Sequence, residues 1–327
     1  QACETFLMTK ISDTLRALAP HPLDFVEVAV LERDGLVESR HRGLAALVGP
    51  DGKLIDHLGA SKRVIYPRSS VKPLQVVAMR RAGLDLVGEE LAICAGSHHG
   101  TGRHIALVDG ILAGIGLDEN ALQCPPAWPG NPAARAEAAG ESKAAFNCSG
   151  KHAGFIAASK AAGWDTSTYL EANHPLQKLV EEVLVEFSGE PILHSTVDGC
   201  GAPLHTITVE GLARAVGKFA STEPEIVEAM LANPWAVGDE KSPDAIIMKH
   251  GMVAKLGAEG VFVVGLKSGH AVAVKIADGS LRAAPLVALR LLNRNGLLDD
   301  ATYAILHNEL TIKSMGGTEV LGELRAL

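Results

Sequence analysis

Strand-forming segments stand near both ends of this chain and a long helix-forming stretch separates them, so any sheet they share must be closed by contacts between residues far apart in sequence. Phe25 to Leu31 is β-rich and imperfectly alternating, Asp34-Gly35 supplies a turn, Gly43 to Val48 is apolar, Pro50-Asp51-Gly52 turns again, and Leu54 to Leu58 continues. That succession reads as an antiparallel meander. Toward the other end, Val261 to Leu266 and Ala271 to Ile276 are joined by Lys267-Ser268-Gly269-His270, a short glycine-containing hairpin loop. Between them the apolar period changes to that of helices. Pro73 to Ala82 places Leu74, Val77 and Ala78 on one face and stops at Gly83, and His104 to Gly114 repeats the pattern with Ile105, Val108, Ile111 and Leu112. Further helices are expected at Lys151 to Ala162, Tyr169 to Phe187, Val209 to Ala220, Pro224 to Leu231 and Ala283 to Leu292.

The expected fold class is α+β: an antiparallel sheet built from N- and C-terminal strands, covered by helices, with a mainly helical subregion at about 70–245. Alternating βαβ units, internal repeats and linkers are absent, so residues 25–327 read as a single catalytic unit and 1–24 as an N-terminal extension. Met8 is the expected natural start, with Gln1 to Leu7 upstream of it.

A formal charge of -8 excludes a phosphate-binding surface built on counterion release, so nucleic acid is not an expected partner. No window supplies the roughly 20 apolar residues of a membrane helix, and no membrane partner is expected. The five cysteines, at 3, 94, 124, 148 and 200, lack the close spacing of a disulfide framework. They fit a reducing compartment, and the expected location is the cytoplasm.

Four segments carry chemistry. In Arg68-Ser69-Ser70-Val71-Lys72-Pro73, a spacing of three puts Ser69 and Lys72 on one face of a helix starting there, while Ser70 points elsewhere. A lysine with lowered pKa can take the proton that keeps serine a poor nucleophile, although a serine at a helix start is also an ordinary N-cap. Cys94-Ala95-Gly96-Ser97-His98-His99-Gly100 closes an apolar run with small polar residues, offering Ser97 as a second hydroxyl. His98 and His99 are adjacent on a loop and should diverge, which favours a structural role for at least one over a metal pair. Cys148 in Asn147-Cys148-Ser149-Gly150-Lys151-His152 and Cys200 in Asp198-Gly199-Cys200-Gly201 sit in glycine-flanked turns, as metal ligands or as packed thiols. Cys148 with His152 is also readable as a thiol nucleophile and base. Lys255, in Met252-Val253-Ala254-Lys255-Leu256-Gly257, is either a buried amine of depressed pKa or a snorkelling surface lysine.

Together these ordered segments resemble the asparaginase family typified by the inducible, thermolabile enzyme of rhizobia, sometimes called class 3. Val37-Glu38-Ser39-Arg40-His41-Arg42 also fits, so the likeness runs from about Phe25 onward. The resemblance implies a fold similar to serine β-lactamases and serine-dependent glutaminases, and hydrolysis of L-asparagine to L-aspartate and ammonia. It implies two Ser-Lys tandems, Ser69 with Lys72 and Ser97 with Lys255, and places Asp198 near the substrate, where its carboxylate would receive the ammonium. It also implies a zinc ion held by Cys148, Lys151 and Cys200, and a homodimer. The loop Ala95-Gly96-Ser97-His98-His99 departs from the family's pattern by one extra small residue. Rival readings are a glutaminase or a penicillin-recognising enzyme on the same scaffold and, in another class, a non-catalytic zinc-dependent binding protein. The thiol enzyme ranks last.

Overall fold

The computed structural model describes residues 17–327, so the expected start at Met8 and the first part of the 1–24 extension lie outside the described residues. A 3-10 turn, Pro22–Asp24, leads into the first strands: β1 Val26–Arg33, β2 Leu36–Val48, β3 Leu54–Leu58 and the short β4 Val64–Ile65. After the helical region come β5 Ser195–Val197, β6 Pro203–His205 and β7 Ile207–Thr208, then β8 Val253–Gly257, β9 Val261–Gly265, β10 Ala271–Ile276, β11 Lys313–Gly316 and β12 Glu319–Ala326.

The main sheet is antiparallel, in the order β11-β12-β1-β2-β10-β9-β8, with β3 also paired to β2. The N- and C-terminal strands therefore meet as expected. β2 is the seam. It pairs with β10 in the register Val48↔Ala271 to Gly43↔Ile276, and along its other edge with β1 and then β3. Leu44 to Val48 is apolar at every position because both faces are covered: all five residues are fully buried. Helices Val209–Thr222 and Ala284–Arg294 both pack against β2, β9 and β10. Gly217 lets the first of these approach, since a Cβ there would lie 2.4 Å from the carbonyl oxygen of Gly269.

Three strands of the main sheet were not legible in the sequence, nor were the short strands β4 to β7, which pair in two small sheets apart from it. β12 pairs with β1 (Ala29↔Ala326), β11 follows it as the outer strand, and β8 adds to the far edge beyond β9. The expected helices form within one or two residues of their predicted ends at Lys72–Arg81, Gly102–Gly114, Ser149–Ala161, Val209–Thr222, Pro224–Ala232 and Ala284–Arg294. Pro175 delays the fourth expected helix to Pro175–Ser188, with His174 capping it. Helix Lys72–Arg81 is buried from Lys72 to Met79, without a polar face, because other helices surround it. Its first residue is a lysine, so the fold carries an amine into its interior at that point. Among the described residues, no helix is long and apolar enough to cross a membrane.

Candidate active site

After Pro67, Arg68–Val71 forms one 3-10 turn before helix Lys72–Arg81 begins. In a 3-10 turn side chains three apart eclipse, so Ser69 stands over Lys72. Ser70 is buried and its hydroxyl donates to the Pro67 carbonyl at 2.7 Å, a bond that fixes the turn and occupies that hydroxyl. Ser69 is half-buried, and its hydroxyl has no hydrogen-bond partner among the described residues. The turn rests on β8, where Gly257 is required: a Cβ at that position would meet the Pro67 carbonyl oxygen at 2.6 Å.

Hydrogen bonding distributes the two lysines differently from the expected tandems. Lys72 Nζ donates to Ser97 Oγ at 3.0 Å and to the Gly96 carbonyl. Ser97 is buried in the loop after helix Gly88–Cys94, held by its own N–H on the Val237 carbonyl at 2.6 Å. Lys255, on β8, instead faces Asp244, with Nζ 3.4 Å from Oδ2 and 3.1 Å from the Leu256 carbonyl; both side chains are fully buried. Burial lowers the pKa of Lys72, the Cys148 sulfur opposes this, and the Lys151 cation adds to it. Burial likewise lowers Lys255, to about 8, with Asp244 opposing and the Lys72 cation reinforcing the shift. An amine of this kind can accept a proton near neutral pH.

Behind Lys72 lie the two thiols. Cys148 precedes helix Ser149–Ala161, Lys151 is in its first turn, and Cys200 sits in the turn of the β5-β6 hairpin. Lys151 Nζ is 3.0 Å from Cys200 Sγ. Cys148 is held well below the usual thiol range by a hydrogen bond from Cys200, and by Lys72 and Lys151, against the effect of burial; Cys200, which keeps the shared proton, is raised. Burial opposes the charge on Lys151, but the Cys200 and Cys148 sulfurs outweigh it and raise its pKa. Two convergent sulfurs and an amine form a donor set that suits zinc, provided Lys151 gives up its proton. Among the described residues no cluster of three or more His, Cys, Asp or Glu side chains offers an alternative metal site.

The histidines diverge. His98 is buried against Ser149 Oγ at 2.8 Å and stacks on His104, whereas His99 faces Asp239 at 3.3 Å. His152 accepts or donates through Nδ1 at the Tyr169 hydroxyl, 2.7 Å away, so that ring nitrogen is engaged away from any role as base to Cys148. Burial lowers its pKa well below the ordinary value, which keeps the ring neutral.

A narrow cleft opens on this cluster, lined by Arg68, Ser69, Lys72, Gln75, Lys151 and Asp198 among others. Its enclosed room of about 10 Å³ is that of a single water. Asp198 lies at the mouth, paired with Arg68. Ser69, Lys72 and Asp198, singled out from sequence, thus share one cleft; Ser97 is joined to it through Lys72, and Lys255 through its charge. Arg68 and Asp244 were missed as functional residues. A signal for Asp244 was present, an acid immediately before the apolar run Ala245-Ile246-Ile247-Met248.

Acyl transfer from an amide needs a reachable nucleophile beside a group able to take its proton, and the cleft brings the two together. On this α+β frame the chain carries the parts that hydrolysis of an amide calls for. It belongs to the L-asparaginase II family, which matches it over residues 29–326. In shape it is similar to solved structures of Mglu. The native form has a TM-score of 0.46 and 15% identity, covering 79% of this chain and 66% of that one; the glutamate form has 0.45 and 14%, covering 78% and 61%. The chain therefore spans less than two thirds of the length of those two proteins. Among curated proteins no sequence relative matches.

Proposed function

We propose that this protein hydrolyses L-asparagine to L-aspartate and ammonia with Ser69 as nucleophile. The observation that carries the reading is a half-buried hydroxyl without a partner, one turn ahead of a buried lysine whose hold on its proton is weakened. Ser69 Oγ attacks the side-chain amide carbon while neutral Lys72 takes its proton. The carbon–nitrogen bond breaks as that proton passes to the leaving ammonia. Water then hydrolyses the aspartyl ester, with Lys72 accepting its proton and returning it to Ser69. Ser97 keeps Lys72 aimed and with Lys255 polarises the site, and Asp198 receives the substrate's ammonium.

Cys148, Lys151 and Cys200 would hold zinc, which supplies a fixed positive charge in place of the proton shared by the two sulfurs. The four described thiols are free, which supports a reducing compartment such as the cytoplasm. A homodimer is part of the proposal, and light scattering on the purified protein tests it.

Ser69→Ala is expected to lower kcat for ammonia release from asparagine by about 10⁴-fold or more, with melting temperature and bound zinc unchanged. Substantial residual turnover would remove Ser69 from the role. A second reading, with Ser97 as nucleophile, is favoured by the direct Lys72–Ser97 hydrogen bond. A diazoketone analogue of asparagine, followed by peptide mass mapping, separates the two by the hydroxyl it labels. Ammonia release from glutamine, measured alongside, decides between asparaginase and glutaminase.

A further inference from the structure

Helix Lys72–Arg81 is buried at every position from Pro73 to Met79, and all but one of those residues are apolar. The exception is Gln75. It is 6% exposed, and among the described residues its amide makes no hydrogen bond. A buried amide without a partner is costly, and leucine or methionine would fill the same volume, so packing does not account for a glutamine here. The amide lines the cleft. The other polar side chains there are engaged: Arg68 with Asp198, Lys72 with Ser97, Lys151 with Cys200, and His205 Nδ1 with Ser195 Oγ at 2.7 Å. Among the described residues, Ser69 and Gln75 are the two lining side chains whose polar groups are unpartnered. Ser69, Lys72 and Gln75 recur every three residues, so hydroxyl, amine and amide follow one another along one side of the turn and helix.

We propose that Gln75 is a positioning residue for the water that hydrolyses the aspartyl ester on Ser69. The proposal rests on the reading of Ser69 as nucleophile and adds the group that aims the second reactant. The enclosed room of about 10 Å³ is too small for an amino acid and fits one water. The Gln75 carbonyl accepts one hydrogen of that water, which leaves the other for neutral Lys72. The water oxygen bonds to the ester carbon as its proton passes to Lys72; the carbon–Oγ bond then breaks, and Ser69 recovers the proton from Lys72. A carboxylate in place of the amide would also hold the water, but its charge would keep Lys72 protonated. A neutral acceptor beside the base avoids that conflict.

Gln75→Met tests this, because it keeps the volume and removes both hydrogen-bonding groups. Slower hydrolysis of the ester lowers kcat and KM together and spares the steps that form it. The variant is therefore expected to lose about 10- to 100-fold in kcat, the range for a misplaced reactant, with kcat/KM within about twofold of wild type. Rapid mixing with asparagine should show a burst of ammonia stoichiometric with enzyme, and mass spectrometry of the quenched protein should show the aspartyl adduct. Hydroxylamine, which attacks esters without help from a base, should speed steady-state ammonia release by the variant more than by wild type. Gln75→Asn keeps the amide, drawn back by one bond, and should give the same pattern in weaker form; it carries the test if methionine impairs folding. A raised KM without a burst would make Gln75 a substrate contact and overturn the proposal, as would kinetics unchanged from wild type. Labelling of wild type by the diazoketone analogue, run in parallel, distinguishes the two failures. Label on Ser69 beside an unchanged variant removes only this proposal, whereas label on Ser97, or no ammonia from asparagine, removes the reading beneath it as well.

Discussion

Replacing Asp244 by Asn isolates the ion pair buried beneath the cleft from the packing around it. Lys255 and Asp244 are fully buried with Nζ and Oδ2 3.4 Å apart, and the amine is held at about 8 against an ordinary value of 10.5. At about 1.4 kcal/mol per pH unit, keeping that ammonium charged in the folded protein costs about 3 kcal/mol relative to the unfolded chain. Asp244 is what raises the value. Without it, and with the Lys72 cation still acting, the amine enters the fold neutral at pH 7. The cost is then set by removing a proton from a lysine of ordinary pKa, about 5 kcal/mol. Before rounding, the two costs differ by the one pH unit between 7 and about 8, so the expected loss of stability at pH 7 is about 1 kcal/mol. A lysine lowered in the fold leaves the unfolded chain binding more protons between its two pKa values, so stability rises with pH across that window. For wild type the window runs from about 8 to 10.5; for the variant it extends below pH 7. The deficit should therefore shrink as pH rises through about 8 and close near pH 9. Urea unfolding of both proteins at pH 7 and pH 9 measures it. A deficit of the same size at both pH values would refute the reasoning, because a packing defect does not titrate.

Ser70→Ala removes the hydroxyl bond to the Pro67 carbonyl and should cost about 1 kcal/mol in unfolding, with kcat for asparagine within about twofold of wild type. Gly257→Ala drives a methyl group against the Pro67 carbonyl, so it should cost about 1–3 kcal/mol and lower kcat more than it changes KM, by displacing the turn that carries Ser69. Tyr169→Phe strips the hydroxyl from His152 Nδ1 and from the Gln123 N–H, and chemical unfolding should register a loss of about 2 kcal/mol.

Much of this was legible before folding was considered. Strands whose side chains must pack on two covered faces carry apolar runs, as in Leu44 to Val48 and Val261 to Gly265, and helices announce themselves by period and by stops such as Gly83. β12 escaped because it is a partly exposed outer region of the sheet, with Glu319, Glu323 and Arg325 among its residues and no clear alternation. β8 escaped because Lys255 interrupts its apolar run, and only a buried counter-ion makes that tolerable. Within the cleft, the relation of Ser69 to Lys72 was readable because it is local, three residues along one turn.

The sequence by itself determined the class of fold, the family, and which hydroxyls and amines are concerned, since each is written in periodicity, spacing or an ordered set of short segments. Tertiary structure alone decided the partners. Lys72 reaches Ser97, Lys255 turns to Asp244, and Arg68 crosses to Asp198. A lysine or arginine carries its charge on a flexible stem several bonds long, so local backbone does not choose what it meets. Packing chooses. Once a charge is buried, the cost of leaving it without a partner selects whichever opposite group or hydroxyl the fold has brought within reach.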